Sequence, residues 1–198
     1  MIQTFIILIY MIDEKSVIEK IKKGDIDSYS ILINEYQNDI YSLCLSIVKN
    51  VDDALDLTQE AFLIAYENIK NFKQEAKFST WVYRIAYNLC VNFIKRKGEI
   101  FTLEDEDIIN VEIEDKTSSI WEEIEKDERV KMISEGLKRI KDSDSLIIEL
   151  KDIKGLTYEE ISTILSIPMG TVKSRLYRAR ENLKKVVEDI IKKGDFEK

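Results

Sequence analysis

Residues 155–185, GLTYEEISTILSIPMGTVKSRLYRARENLKK, constrain the fold more than any other stretch, because a helix start, a turn and a second helix start fall within one short run. Thr157 and Glu160 have the spacing of a capping box, in which hydroxyl and carboxylate each take up a backbone N–H that the first turn leaves without a partner. That predicts a short helix from Tyr158 to about Leu165. Pro168 is the only proline in the chain, and with Gly170 it stands where one apolar helical pattern ends and the next begins. A second helix is predicted from about Met169 past Leu183. The unit reads as a helix-turn-helix.

At roughly 100° per residue, Val172, Leu176, Ala179 and Leu183 share one side of the second helix. Ser174, Tyr177, Arg178 and Lys185 fall opposite, with Lys173 and Lys184 beside them. Residues 171–185 carry Lys173, Arg175, Arg178, Arg180, Lys184 and Lys185 against the single acid Glu181, a local charge of plus five. One face packs and the other reaches outward, which suits a DNA duplex. A solvated basic helix closing a bundle is the bland alternative, but cap, turn, apolar spacing and basic face all coincide on the first reading.

Charge is unevenly spread over the 198 residues, whose formal total is minus eight. Residues 1–98 hold 12 basic and 13 acidic groups, residues 99–128 hold 2 and 13, and residues 129–198 hold 16 and 12. An evenly spread net charge of this sign would argue against a protein that coats nucleic acid indiscriminately. The uneven distribution predicts a nearly neutral first half, an acidic connector and a basic second half. A hydrophobic content of 44% is ordinary for a globular core.

With no histidine and only Cys44 and Cys90, far apart in sequence, no common zinc spacing exists. Each cysteine sits in an apolar helical stretch, so both are expected as buried thiols in a reducing cytoplasm, with a disulfide between them left open. The opening MIQTFIILIYMI is too short to span a bilayer and lacks the basic start and cleavage site of a secretory signal. Either translation begins at Met11 rather than Met1, or the segment packs on the first domain.

Apolar residues at Ile31, Leu32, Tyr36, Ile40, Leu43, Ile47 and Val48 keep a helical period between Asp25 and Lys49. A further helix is predicted to open near Asp52 and Asp53 and to run to about Lys70. Along it Asp53, Asp56, Glu60 and Glu67 form a narrow acidic stripe with Gln59 and Leu63 on its edge, while Phe62, Tyr66 and Ile69 cover the other side. That stripe reads equally as a solvated face or as a docking surface for a basic partner helix. Carboxylates along one helix cannot by themselves enclose a metal ion.

In FKQEAKFSTWVYRIAYNLCVNFIKRKG a helix is expected after a Ser79 or Thr80 cap, wrapped in apolar side chains at Val82, Tyr83, Ala86, Leu89, Cys90 and Phe93. Trp81, Arg84, Asn88, Asn92 and Lys95 recur at intervals of three or four and form one exposed stripe. Arginine and asparagine bond phosphates and base edges, and tryptophan offers a stacking surface, a combination used on unpaired strands. Taken alone, the stripe also fits a solvent face. Residues 99–119 lack a sustained period and are dense in acids, which predicts a mobile linker. Helix is expected again near Ile120, with Trp121, Ile124, Val130, Ile133, Leu137 and Ile140 on one apolar face. Leu146, Ile147, Leu150 and Ile153 make the next, and the two helices roof the helix-turn-helix. The fold class is therefore all-α, two small helical domains at 13–98 and 120–192 joined by the acidic linker. No glycine-rich phosphate loop and no nucleophile motif occurs, so no enzyme, cofactor, metal or small-molecule substrate is expected.

DALDLTQEAFLIAYENIKNF, FSTWVYRIAYNLCVNFIKRK and GLTYEEISTILSIPMGTVKSRLYRARENL, in that order over about 160 residues, resemble the extracytoplasmic-function group of bacterial RNA polymerase sigma factors. The resemblance implies that the first domain binds the core polymerase clamp and the minus-ten promoter element, and that the second reads the minus-thirty-five element. Asp56, Gln59 and Glu60 match the clamp-binding helix. Phe78 and residues 81–88 match the part that opens and holds the minus-ten strand, which brings the stripe Trp81, Arg84, Asn88, Asn92 and Lys95 to that DNA. Lys173, Ser174, Tyr177 and Arg178, with Thr171 beside them, match the face toward the minus-thirty-five duplex. An anti-sigma factor, often membrane-anchored, is implied as a further partner, and the cytoplasm as the location. Departures from the family pattern are Leu55 in place of an acid, Ile140 and Lys141 in place of leucine-proline, and Ser162 and Ser166 in place of two small residues.

The competing reading is a repressor or activator that binds an operator as a dimer, with its first domain serving as sensor or dimerisation unit. It explains the helix-turn-helix equally well and leaves the acidic stripe and the Trp81 stripe without a purpose.

Overall fold

A computed structural model describes residues 13–98 and 126–193, all helix and turn. The expectations for the first twelve residues, for the linker at 99–119 and for Trp121 and Ile124 lie outside the described residues. The chain divides into two compact units between Phe93 and Ile94.

In the first unit, α1 (Glu14–Lys22) is capped by Asp13, whose carboxylate accepts the Ser16 N–H at 3.3 Å, and it buries Val17, Ile18 and Ile21. Helix α2 (Tyr29–Val48) starts four residues later than its apolar pattern suggested. Asp25 spends both carboxylate oxygens on Ser28, at 3.2 Å to its N–H and 2.7 Å to its hydroxyl, and so forms the turn ahead of the helix. Those bonds hold the Asp25 carboxyl below its ordinary range. Ile31, expected inside, is 40% exposed.

Lys49 in the left-handed region, at φ 55°, ends α2, and Asn50 opens α3 (Val51–Asn68) by accepting the Asp53 N–H at 3.0 Å. The cap is thus Asn50 rather than Asp52 or Asp53, which lie in the first turn where acids suit the helix dipole. Ala54, Ala61 and Ala65 are fully buried on α3, so its backbone approaches α2 closely. A 3-10 turn (Ile69–Asn71) and a short connector lead to α4 (Phe78–Lys97). Ser79 and Thr80 do not cap it. The helix begins earlier because the Lys77 carbonyl already accepts the Trp81 N–H at 3.2 Å, and Thr80 lies buried inside the first turn.

The second unit contains α5 (Lys126–Arg139), α6 (Asp142–Ile148), a π turn (Glu149–Ile153), α7 (Tyr158–Leu165) and α8 (Met169–Lys193). Its core is built from Leu146, Ile147, Leu150, Ile161, Ile164, Val172, Leu176, Ala179, Val187 and Ile190. Two expected faces are rotated. On α5, Val130 and Ile133 are 60% and 37% exposed, and the buried positions are Met132 and Gly136. Gly136 explains this: a Cβ there would lie 2.8 Å from Leu183 and 2.9 Å from Val187, so α8 runs over the bare backbone. Ile153 is 61% exposed because the wider π turn carries it off the line of Leu146 and Leu150.

The capping box of α7 is complete, with Thr157 accepting the Glu160 N–H at 3.1 Å and Glu160 accepting the Thr157 N–H at 2.8 Å. Ser166, at φ 56°, ends α7, and the Ser162 hydroxyl donates to the Ile167 carbonyl at 2.6 Å, which tightens the turn. Pro168 precedes α8, its carbonyl accepting the Val172 N–H at 3.0 Å.

Candidate nucleic-acid interface

Three helices present the residues singled out in the sequence. On α8, Val172, Leu176 and Ala179 are buried against the core and Leu183 is half-buried, which fixes the rotation of the helix. Lys173 is then exposed, and Thr171, Ser174, Tyr177 and Arg178 are partly exposed along the same side. The Ser174 hydroxyl donates to the Thr171 carbonyl at 3.1 Å, which leaves its oxygen lone pairs available to a groove edge. Tyr177 and Arg178 line a cleft of about 210 Å³ with Lys141, Asp144, Arg175, Glu181, Asn182 and Lys185 among its walls. Asn182 donates to Asp144 across it at 2.8 Å.

Sequence reading missed two members of this surface. The Lys173 ammonium lies 5.5 Å from the centre of the Tyr158 ring, and Lys151 lies 4.7 Å from the same centre while donating to the Leu156 carbonyl at 3.0 Å. Tyr158 joins the π turn to α8, a link that no helical period could reveal. Arg180, counted in the local charge of plus five, is bound to Asp152.

On α4 the spacing places Arg84, Asn88, Asn92 and Lys95 in solvent along one side. Trp81 departs from the expected exposed platform. It is half-buried, with one face of its indole stacked on Phe72 at 4.6 Å and 16°, and Phe78 meets it edge-on at 5.9 Å. Phe78, expected among the DNA-contacting residues, has no exposed surface. Its ring is enclosed by Tyr29, Tyr36, Phe72 and Trp81 because the helix starts at Phe78 and turns that side chain inward.

On α3, Asp56, Gln59 and Glu60 are all exposed, as is Glu67, while Asp53 is half-exposed. Phe62 and Ile69 are buried on the other side, and Tyr66 is half-buried against Tyr29 at 5.0 Å. Leu55 and Leu63 are 45% and 57% exposed, one turn either side of Gln59. The face is therefore mixed acidic and apolar. Leu55 was legible only as a departure from the family pattern.

Cys44 and Cys90 are free thiols, both fully buried. A hydrogen bond with Cys44, together with burial, pushes the Cys90 thiol far above its ordinary range, so it stays protonated in the core. Among the described residues no group of histidine, cysteine and acid side chains could hold a metal ion, and no helix is long and apolar enough to cross a membrane.

A basic helix-turn-helix, a helix with an exposed polar stripe and a helix with an exposed acidic face suit a DNA-binding transcription protein. Residues 32–100 match the family model for Sigma-70 region 2, and residues 133–183 match that for Sigma-70, region 4. The ECF RNA polymerase sigma factor SigW of Bacillus subtilis is 38% identical over 183 residues, covering 89% of this chain and 97% of SigW. The ECF RNA polymerase sigma-E factor of Escherichia coli is 34% identical over 188 residues, covering 91% of this chain and 97% of its own. Two solved structures share the fold. CnrH, in complex with the cytosolic domain of CnrY, superposes with a TM-score of 0.63 at 16% identity, covering 89% of this chain and 97% of CnrH. The sigma factor RpoE of Bartonella quintana, in complex with the anti-sigma factor NepR, gives 0.60 at 19% identity over 82% and 98% of the two chains. The chain belongs to the ECF group of RNA polymerase sigma factors, and it is an alternative sigma factor that directs transcription initiation.

Proposed function

We propose that the two units divide promoter recognition between them. In the first, Asp56, Gln59 and Glu60, flanked by Leu55 and Leu63, dock on the clamp of core RNA polymerase, where acids complement a basic partner helix and the leucines add apolar contact. On α4, Arg84, Asn88, Asn92 and Lys95 hold the unpaired minus-ten strand beside Trp81. In the second unit Lys173, Ser174, Tyr177 and Arg178, with Thr171, face the major groove of the minus-thirty-five duplex. The work is positioning and strand capture in the cytoplasm, with no chemistry of its own.

The observation that carries this reading is the line of exposed Arg84, Asn88, Asn92 and Lys95 on α4 in a chain that also has a basic helix-turn-helix. An operator binder uses only the latter. An anti-sigma factor, free or tethered to a membrane, is the natural antagonist, since it would compete for the same faces. The complexes of CnrH with CnrY and of RpoE with NepR support such a partner. Run-off transcription by purified core polymerase, with and without this chain, tests the proposal: transcripts from a paired promoter should appear only when the chain is added. No chain-dependent transcript from any promoter bound by the second unit would sink it.

A further inference from the structure

Helix α1 lies upstream of residue 32, where the match to Sigma-70 region 2 begins, and the division of labour above gives it nothing to do. Its side chains nevertheless reach the segment between α3 and α4 at three points. Glu14 accepts the Phe78 N–H at 3.4 Å through Oε2 and the Tyr36 hydroxyl through Oε1. The Lys22 ammonium donates to the Phe72 carbonyl at 2.7 Å. Gln74 donates to the Glu19 carboxylate at 3.0 Å. The bonds to Phe72, Gln74 and Phe78 span 50 to 64 residues of sequence, so they fix tertiary placement rather than local conformation.

What they fix is the Phe72–Trp81 stack. Residues 72–77 have no regular helix, and Gln74 sits at φ 58°, a conformation that a non-glycine residue adopts at a cost and keeps only when its surroundings hold it. Lys22 grips the backbone of Phe72, and Glu14 grips the first N–H of α4, three residues before Trp81. One short helix thus sets both halves of the stacked pair. Lys22 is half-buried and carries its charge to a carbonyl of a buried residue, a bond that water replaces poorly.

We propose that α1 is a positioning element for promoter opening, in which Glu14 and Lys22 hold the connector so that the Phe72–Trp81 stack stands ready at the start of the strand-binding stripe. This rests on the reading of α4 as the minus-ten surface. Neither residue touches DNA.

The chain has two tryptophans, so Trp121→Phe leaves Trp81 as the only one, read with excitation at the red edge that tyrosine does not absorb. In that background Lys22→Met, which keeps an apolar stem, and Lys22→Met with Glu14→Ala should move Trp81 emission to longer wavelength and raise its quenching by acrylamide. Core polymerase binding and binding to a minus-thirty-five duplex should stay within about twofold. Permanganate reactivity of thymines in the bubble on a paired promoter should fall about tenfold, the size expected for loss of a hydrogen bond to a charged group. A template already mismatched across the minus-ten region should recover most of that loss, and Lys22→Arg should restore both emission and opening. Unchanged emission would overturn the positioning of Trp81 by α1. Altered emission with normal bubble formation, or core binding that falls in step with opening, would leave α1 a merely structural helix. The fluorescence is read on the free chain, so it remains decisive even if the parent protein opened no promoter, an outcome that would instead count against the function proposed for α4.

Discussion

Arg180 holds Asp152 in a two-point grip, with Nε 3.0 Å from Oδ2 and Nη2 2.6 Å from Oδ1. The pair ties the π turn to α8 and engages one of the six cations that give residues 171–185 their local charge. Both side chains are more than a third exposed, at 39% and 34% for Arg180 and Asp152 taken together as a partly solvated pair, so screening limits its worth. Arg180→Ala should lower stability in denaturant by roughly 0.5–1 kcal/mol. It should also change the salt dependence of duplex binding less than Lys173→Ala does. An Arg180→Ala slope change as large as that of Lys173→Ala would place this guanidinium on phosphate instead.

Gly136 supplies a second test of the same unit. Alanine would gain about 1 kcal/mol of helix propensity, but its Cβ would meet Leu183 at 2.8 Å and Val187 at 2.9 Å. Overpacking of that kind costs about 1–3 kcal/mol. The net should be destabilisation near 1 kcal/mol by chemical denaturation of the full chain. A stabilised Gly136→Ala variant would show that α5 and α8 have room between them.

The helix-turn-helix was readable to the residue because its signals are local. Thr157 and Glu160 are three apart, the break at Pro168 is chemical, and the apolar spacing from Val172 to Ala179 is the helical period itself. The errors came where tertiary contacts decide. A glycine at 136 rotated the packed face of α5, and the π turn moved Ile153 outward. Glu14, 64 residues away, meets the N–H of Phe78 where a local Ser79 or Thr80 cap was expected. The same long-range packing buried Phe78 and covered one face of Trp81, so the exposed polar stripe of α4 was legible in the sequence and the packing of its aromatic residues was not.

Reversing charge with Asp56→Lys and Glu60→Lys should abolish co-purification with core polymerase and leave the free fold intact. Both side chains are exposed on α3, and surface substitutions of this sort cost within about 0.5 kcal/mol. Thermal denaturation should therefore be nearly unchanged. Normal recovery of the double variant with core enzyme would remove this face from the docking surface.

Lys173→Ala and Arg178→Ala distinguish base reading from phosphate holding. A base contact should cost about 1–3 kcal/mol and relax preference at one promoter position, whereas a phosphate contact should weaken all sequences alike and reduce the salt slope by about one. Lys173 is exposed and leans over Tyr158, while Arg178 lines the cleft beside Tyr177. The expected result is a salt-slope loss for Lys173→Ala and a change of sequence preference for Arg178→Ala, measured on duplexes at fixed and at graded salt. If the double variant bound every duplex as the parent does, this side of α8 would not face DNA.

Arg84→Ala combined with Asn88→Ala tests strand capture without disturbing the aromatic cluster. Both residues are exposed on α4, one turn apart, so the core beneath them at Tyr83, Ala86 and Tyr87 should stay packed. Unstacking bases costs a few kcal/mol, and the polar stripe must return part of it by binding the freed strand. The double variant should keep core polymerase binding and duplex binding but yield little run-off transcript from a paired promoter. On a template mismatched across the minus-ten region the opening cost is already met, so transcript should partly return. Equal transcript from paired and mismatched templates, at the parent's level, would leave Arg84 and Asn88 as a solvent face and move strand capture elsewhere on the chain.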